Sequence, residues 1–224
     1  MDVVQTDHLK AYGIAFSTLE KNRNVDWLLN YRGGSFMMDD NIRTQQECTI
    51  KGVFFELVNA GQLSQIYATI EENNMDVVLL EKLPKIAVYS PDDKQPWDDA
   101  VTLALTYAEI EYETVFDEEV LTSKLKEYDW LHLHHEDFTG QYGKFYKSYR
   151  NANWYKQQVA DFNSTATQFG FSSVHELKKA IAVKIKTFVS NGGFLFAMCS
   201  ATDSFDIALA AVNVDIADTP FDGT

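Results

Sequence analysis

Apolar positions in this chain switch repeatedly between a helical period and short continuous runs, which predicts helices alternating with strands. Over residues 8–20, Leu9, Tyr12, Phe16 and Leu19 fall on one helical face, with Thr6 or Asp7 placed to cap the first turn. Residues 25–31 read as a strand and Arg32-Gly33-Gly34-Ser35 as the turn that leaves it. A polar helix is expected over 39–51 and a second strand over 53–58, succeeded by a helix with Leu63, Ile66 and Ile70 on one side. Residues 76–80 fit either a strand or a connector. Glu81-Lys82-Leu83-Pro84 then breaks the pattern with charge and proline. That divides the chain into an N-terminal α/β segment, 1–83, and a second region, 84–224, with the two open to sharing one sheet.

The second region repeats the alternation more clearly. Strands are expected at 85–89, 112–116, 128–134 and 193–198. Pro96 opens a helix with Asp98 and Asp99 in its first turn, and a short helix covers 118–127. Ser173-Val174-His175-Glu176 has the spacing of a capping box, opening a helix whose face is Val174, Leu177, Ile181, Ile185 and Phe188, and Gly192 stops it. A last helix spans 203–211, and the ending at 218–224 offers no closing helix or strand, as in a chain cut short. Taken together, the alternation predicts an α/β fold: a three-layer, mostly parallel flavodoxin-like sheet with helices on both faces. Ligands of such sheets bind outside the C-terminal strand ends. If the strands ending at Tyr89, His134 and Met198 are neighbours, Asp92, His134 to Asp137 and Cys199 share one crevice.

Composition narrows the partners. With 224 residues, 46% of them hydrophobic, the chain can bury a full core, and a formal charge of −14 argues against nucleic acid or an anionic membrane surface as partner. No apolar run is long enough to cross a bilayer, and the crevice at the C-terminal strand ends makes a small-molecule ligand or substrate the expected partner. The residues after Met1 lack signal-peptide character, and Cys48 and Cys199 are too few for a disulfide scaffold. A reducing cytoplasm is therefore the default compartment, with export requiring a leader removed beforehand.

The chemistry concentrates at the end of the strand over 193–198. There Gly192-Gly193 leads into Phe194-Leu195-Phe196-Ala197-Met198, then Cys199-Ser200-Ala201, then a helix. A nucleophile elbow needs small residues two before and two after the nucleophile, here Ala197 and Ala201, and it places the thiol at a helix N-terminus. His134 or His135 is the candidate base, with Glu136 or Asp137 to orient it. His132, inside its strand, reads as a core imidazole, and Cys48, beside Glu47, as a poor nucleophile. Ser200, Asp203, Asp92, Asp137 and Arg32 are candidate ligand contacts, the last beside a glycine turn able to offer N–H groups to an anion. No cofactor is expected, and no metal: the run from His132 fails the metallo-hydrolase pattern His-x-His-x-Asp-His, with Glu136 in place of the aspartate and Asp137 in place of the last histidine. Residues 138–155 carry seven rings from Phe138 to Tyr155 with Lys144, Lys147 and Arg150 among them. This segment suits a lid, a cover for the sheet, or a homo-oligomer contact.

The stretch from Gly192 through Cys199-Ser200-Ala201-Thr202-Asp203-Ser204-Phe205 resembles the Gly-Gly strand and succeeding His-Ser/Ala-Ala-Thr-Asp-Thr/Ser-Phe of ThuA-like proteins, members of the class I glutamine amidotransferase-like superfamily. Cys199 departs from the ThuA histidine and matches the superfamily's cysteine nucleophile. With Leu131 to Gly140, the stretch also resembles bacterial proteins labelled asparagine synthetase B, a label these residues do not support because that enzyme's cysteine directly follows the initiator and here Asp2 does. The resemblance covers roughly residues 85–211 and implies a flavodoxin-like fold. The superfamily's glutaminase triad draws its histidine from downstream of the cysteine, and no histidine follows Cys199. Two functions are therefore expected: an amidotransferase-like thiol hydrolase domain or, in the alternative, a non-catalytic ThuA-like domain for a small molecule or carbohydrate.

Overall fold

The computed structural model describes residues 4–91 and 99–223. The chain forms two compact units, one comprising residues up to Leu83 with Leu103–Glu111, the other Pro84–Thr102 with Tyr112–Thr224.

In the first unit, α1 (His8–Glu20) is capped by Asp7, whose carboxylate accepts the Lys10 N–H at 3.0 Å. Strand β1 (Val25–Leu29) leads to a reversal through Asn30, Arg32, Gly33 and Gly34, all at positive φ, and then to β2 (Ser35–Met37). Helices α2 (Ile42–Lys51) and α3 (Ala60–Glu72) precede β3 (Asp76–Leu80). The sheet order is β2-β1-β3, and both pairings are antiparallel. These strands are thus not part of the parallel sheet of the second unit. A reversal of five residues between β1 and β2 is too short for the crossover that a parallel pair needs. Among the described residues the run 53–58, expected as a strand, joins no ladder: Phe54 gives its N–H to the Gln5 side chain at 2.8 Å, and Phe54, Phe55 and Leu57 are exposed. Leu103–Glu111 belongs here because Glu109 pairs with Lys10 (2.8 Å) and Lys51 (2.9 Å).

The second unit is built on β4 (Ile86–Tyr89), β5 (Glu113–Val115), β6 (Trp130–Leu133) and β7 (Phe194–Ala197), all parallel, in the order β5-β4-β6-β7. In this order the second strand lies outside the first, as flavodoxin-like winding requires. The fold is a three-layer α/β sandwich. Its helices are α4 (Ala100–Ala108), of which only the first turn belongs to this unit, α5 (Asp117–Leu121), α6 (Gly143–Tyr149), α7 (Asn153–Gln168), α8 (Val174–Ser190), α9 (Ser200–Ala210) and α10 (Thr219–Asp222). The short α10 replaces the helix-free ending read from sequence, with Asp218 as its cap and Pro220 in its first turn. Every residue of β4 is buried, as a central parallel strand demands. All five apolar positions predicted for α8 are buried, and Ser173 Oγ accepts the Glu176 N–H, while Glu176 turns to Ser172 instead of closing the box. The rings of Phe138, Tyr142 and Tyr155 lie in the core, so much of the aromatic segment packs on its own unit.

Between β6 and α6 the chain crosses the start of α8. Gly140 sits there at φ +71°, where a Cβ would meet the His175 backbone at 2.7 Å, and His175 Nδ1 contacts the Thr139 carbonyl oxygen at 2.7 Å. Gly140→Ala is accordingly expected to lower unfolding free energy by about 3 kcal/mol, from the left-handed backbone and the backbone clash combined. Urea denaturation checks this, and a loss below about 0.5 kcal/mol, the range of an ordinary surface change, would contradict it.

Candidate functional site

Strand β7 leaves the sheet beside β6, and the two continue together past the last ladder pair. Four successive carbonyl oxygens, from the last residue of β6 onward, are each taken by a donor from the segment after β7: Leu133 accepts the Met198 N–H (3.0 Å), His134 the Ala201 N–H (3.2 Å), His135 the Ser200 hydroxyl (3.0 Å) and Glu136 the Ser204 hydroxyl (2.9 Å). To make these bonds the chain must turn within one residue, and Cys199 takes φ +56°, ψ −141° as the N-cap of α9. That conformation is one that residues with a Cβ rarely adopt, at a cost of about 1–3 kcal/mol. Ala201, fully buried, is the small residue the turn requires.

The turn presents its side chain outward: the Cys199 thiol is free and exposed. Among the described residues it makes no hydrogen bond, and the backbone N–H groups of Cys199 and Ser200 are likewise unpartnered there. Cys48 differs in each respect: it is buried in the first unit, where burial and then the Glu47 carboxylate push its thiol up.

The histidine pair comes directly after β6. His134 Nδ1 lies 3.3 Å from Asp99 Oδ1 and 3.1 Å from His135 Nδ1. One proton on His134 Nδ1, shared between these acceptors, satisfies both contacts and leaves His134 Nε2 with its lone pair. Asp99 uses the same oxygen to cap α4 through Val101 N–H (2.8 Å), and its Oδ2 is buried without a partner among the described residues. Sequence reasoning treated Asp99 only as a helix-start acid; no local signal ties it to a histidine 35 residues on. Glu136 is half-buried and accepts the His134 N–H at 3.1 Å. Its carboxyl is pushed up to about 7, chiefly by loss of hydration and secondarily by the Asp99 carboxylate, against the pull of its own N–H, the His134 N–H and Lys178.

The other expected contacts have different employments. Asp137 accepts from Thr139, Gln141 and Tyr142 and so holds its own loop. The Ser200 hydroxyl is committed to the His135 carbonyl, and Asp203 is exposed in the first turn of α9. Arg32 belongs to the first unit and pairs with Glu56 at 2.8 Å, while Gly33 and Gly34 spend their N–H groups closing the turn. Asp92, Pro96 and Asp98 lie outside the described residues. His132 is buried and stacked on Phe196, and loss of hydration holds its pKa down. Among the described residues no group of three or more His, Cys, Asp or Glu is placed to hold a metal ion, and no helix is long and apolar enough to cross a membrane.

Near these groups lies a cluster that the sequence pattern alone did not single out. Lys178 on α8 places Nζ 2.7 and 2.8 Å from the Asp117 oxygens and 3.1 Å from the Tyr89 hydroxyl, with the Phe116 and Phe162 rings 4.6 and 4.4 Å away. Lysine and aspartate are each 2% exposed, and Tyr89 also donates to Asp117. Both charges are compensated, so the cluster ties the ends of β4 and β5 to α8. Lys178 on the apolar face of an amphipathic helix, one position after Leu177, was the available signal.

The raised carboxyl also bears on stability. An acid whose native pKa stands above its ordinary 4.5 keeps its proton in the folded state while the unfolded chain ionises, so stability falls from about pH 4.5 to about pH 7 and then levels. Glu136→Gln keeps the acceptor for His134 and lacks this slope. It is expected to match wild type near pH 4.5 and to exceed it by on the order of 2–3 kcal/mol above pH 8. Denaturation across pH decides, and a Gln variant equally or less stable at pH 8 would contradict the assignment.

Comparison of the chain with family models, with curated proteins and with solved structures finds no match, so the functional reading rests on this geometry.

Proposed function

We propose that the second unit is a glutamine amidotransferase-like thiol hydrolase domain with Cys199 as nucleophile. The observation that carries the reading is the backbone of Cys199, φ +56° at the junction of a parallel strand and a helix, with the sulfur exposed. Strain of this kind persists where the surroundings impose it, and here the four carbonyl contacts do so. His134, oriented by Asp99, takes the thiol proton at Nε2 as sulfur bonds to the carbonyl carbon of an amide or ester. The N–H groups of Cys199 and Ser200 then face the developing oxyanion. Protonation of the leaving group by His134 releases an amine or alcohol, and water attacks the thioester to free the acid and the thiol.

A specific observation favours a second reading, a ThuA-like binding domain without turnover: no imidazole is hydrogen-bonded to the Cys199 sulfur among the described residues. Apo geometry of this kind tightens on substrate binding in thiol enzymes, which keeps the first reading ahead. Incubation of the full chain with an activated ester, and then peptide mass spectrometry, separates the two. The hydrolase reading predicts one acyl group on Cys199 and none on Cys48, loss of the adduct in Cys199→Ala, and acylation slowed about a hundredfold in His134→Ala. An unmodified Cys199, or a His134→Ala protein that acylates as fast as wild type, would overturn it.

A further inference from the structure

The first unit holds a cavity of about 240 Å³ that the hydrolase chemistry does not use. Its floor includes the buried side chains of Ile14, Leu28 and Cys48. Its walls carry six aromatic side chains, Tyr12, Trp27, Tyr31, Phe36, Phe54 and Phe55. Phe36 is the hub, edge-on to Tyr12 at 5.2 Å between centroids and tilted against Trp27 at 6.3 Å. The run 53–58, which joins no strand ladder among the described residues, lines the same cavity and brings its two phenylalanines to it with substantial exposure.

Charge selects the ligand class. Arg32 is the sole cation among the described residues on this wall, and Glu56, also on the wall, pairs with it at 2.8 Å. Asp39 and Asp40, exposed at the same cavity, remain as an excess of two negative charges, in a chain that itself carries −14. An anion would meet no free donor in the glycine turn, whose N–H groups at Gly33 and Gly34 are spent. A cation would enter a cavity lined by six aromatic rings and two carboxylates, the pairing that recognises alkylated ammonium groups.

We propose that this cavity binds a trimethylammonium head group, of a free small molecule or of a methylated lysine side chain. The test uses the full chain labelled with nitrogen-15 and tracks the Trp27 indole N–H signal during titration with choline, with the uncharged carbon isostere in which a tert-butyl group replaces the ammonium, and with a peptide containing trimethyllysine. Saturable movement of the Trp27 signal is expected, with the stronger of the two cationic ligands bound about tenfold tighter than the isostere. A tighter choline arm identifies a free small cation and a tighter peptide arm a modified lysine. Trp27→Leu removes a wall of the site and is expected to abolish binding. Because that change also alters a strand, the double variant Asp39→Asn, Asp40→Asn at exposed positions is measured beside it, and it is expected to weaken the cations several-fold while leaving the isostere unchanged. No movement of Trp27 with either cation, an isostere bound as tightly as both, or equal loss of all ligands in the double variant would overturn the proposal.

Discussion

The second unit depends on the way four consecutive carbonyl oxygens, Leu133 to Glu136, are satisfied by the segment after β7. Parallel neighbours normally diverge after their last ladder bond, leaving polar backbone to be hydrated or capped. Here two backbone N–H groups and two serine hydroxyls take up those oxygens one by one, and the geometry leaves no room for a gradual turn at Cys199. The positive φ at that residue is the cost of pairing all four of those oxygens. It also explains the local composition: Ser200 and Ser204 supply donors, Ala201 fits without volume, and the side chain of residue 199 points away from the sheet.

Electrostatics at the same end of the sheet reflect how little water reaches it. Asp99, Glu136 and Asp117 crowd near the strand termini, and a chain this acidic has few cations to spare. Asp117 receives a buried lysine, whose ammonium is further cradled by two phenyl rings. Asp99 is matched by His134 and a helix start. Glu136 obtains its own N–H, the His134 N–H and the charge of Lys178, which together do not repay its lost hydration, and it answers by holding its proton. A proton on Glu136 lowers the negative charge at this end of the sheet, where the Asp99 carboxylate also lies.

Much of this architecture could be read from residue patterns. Alternating helical and continuous apolar runs after Pro84 specify a parallel sheet, and the five apolar positions of α8 together with Ser173 fix the start and the buried face of that helix. The tight strand-to-helix turn at Cys199 was visible because such turns leave a compositional mark, small residues at Ala197 and Ala201. Pairing partners left no such mark. Residues 25–31, 53–58 and 76–80 look alike as short apolar runs, yet the first and third pair antiparallel and the second joins no strand ladder among the described residues. The period of a strand reports its burial and says nothing of its neighbour. The Asp99–His134 contact was illegible for a related reason, since it joins a helix start to a strand end across a sheet. Lys178 was legible in principle, as a charge on an apolar helix face, but a lysine is so often a solvated residue that its position alone carries little weight.

The claim on which the account turns is that Cys199 is held in a conformation that its side chain resists. Comparing the unfolding free energies of Cys199→Gly and Cys199→Ala measures this directly, since both remove the sulfur and only one removes the Cβ. The account predicts that the glycine variant is the more stable, by about 1 kcal/mol or more, because it relieves the strain at φ +56°. At an ordinary position glycine would be the less stable by about 0.5–1 kcal/mol, through the added freedom of the unfolded chain, and that result would contradict the elbow.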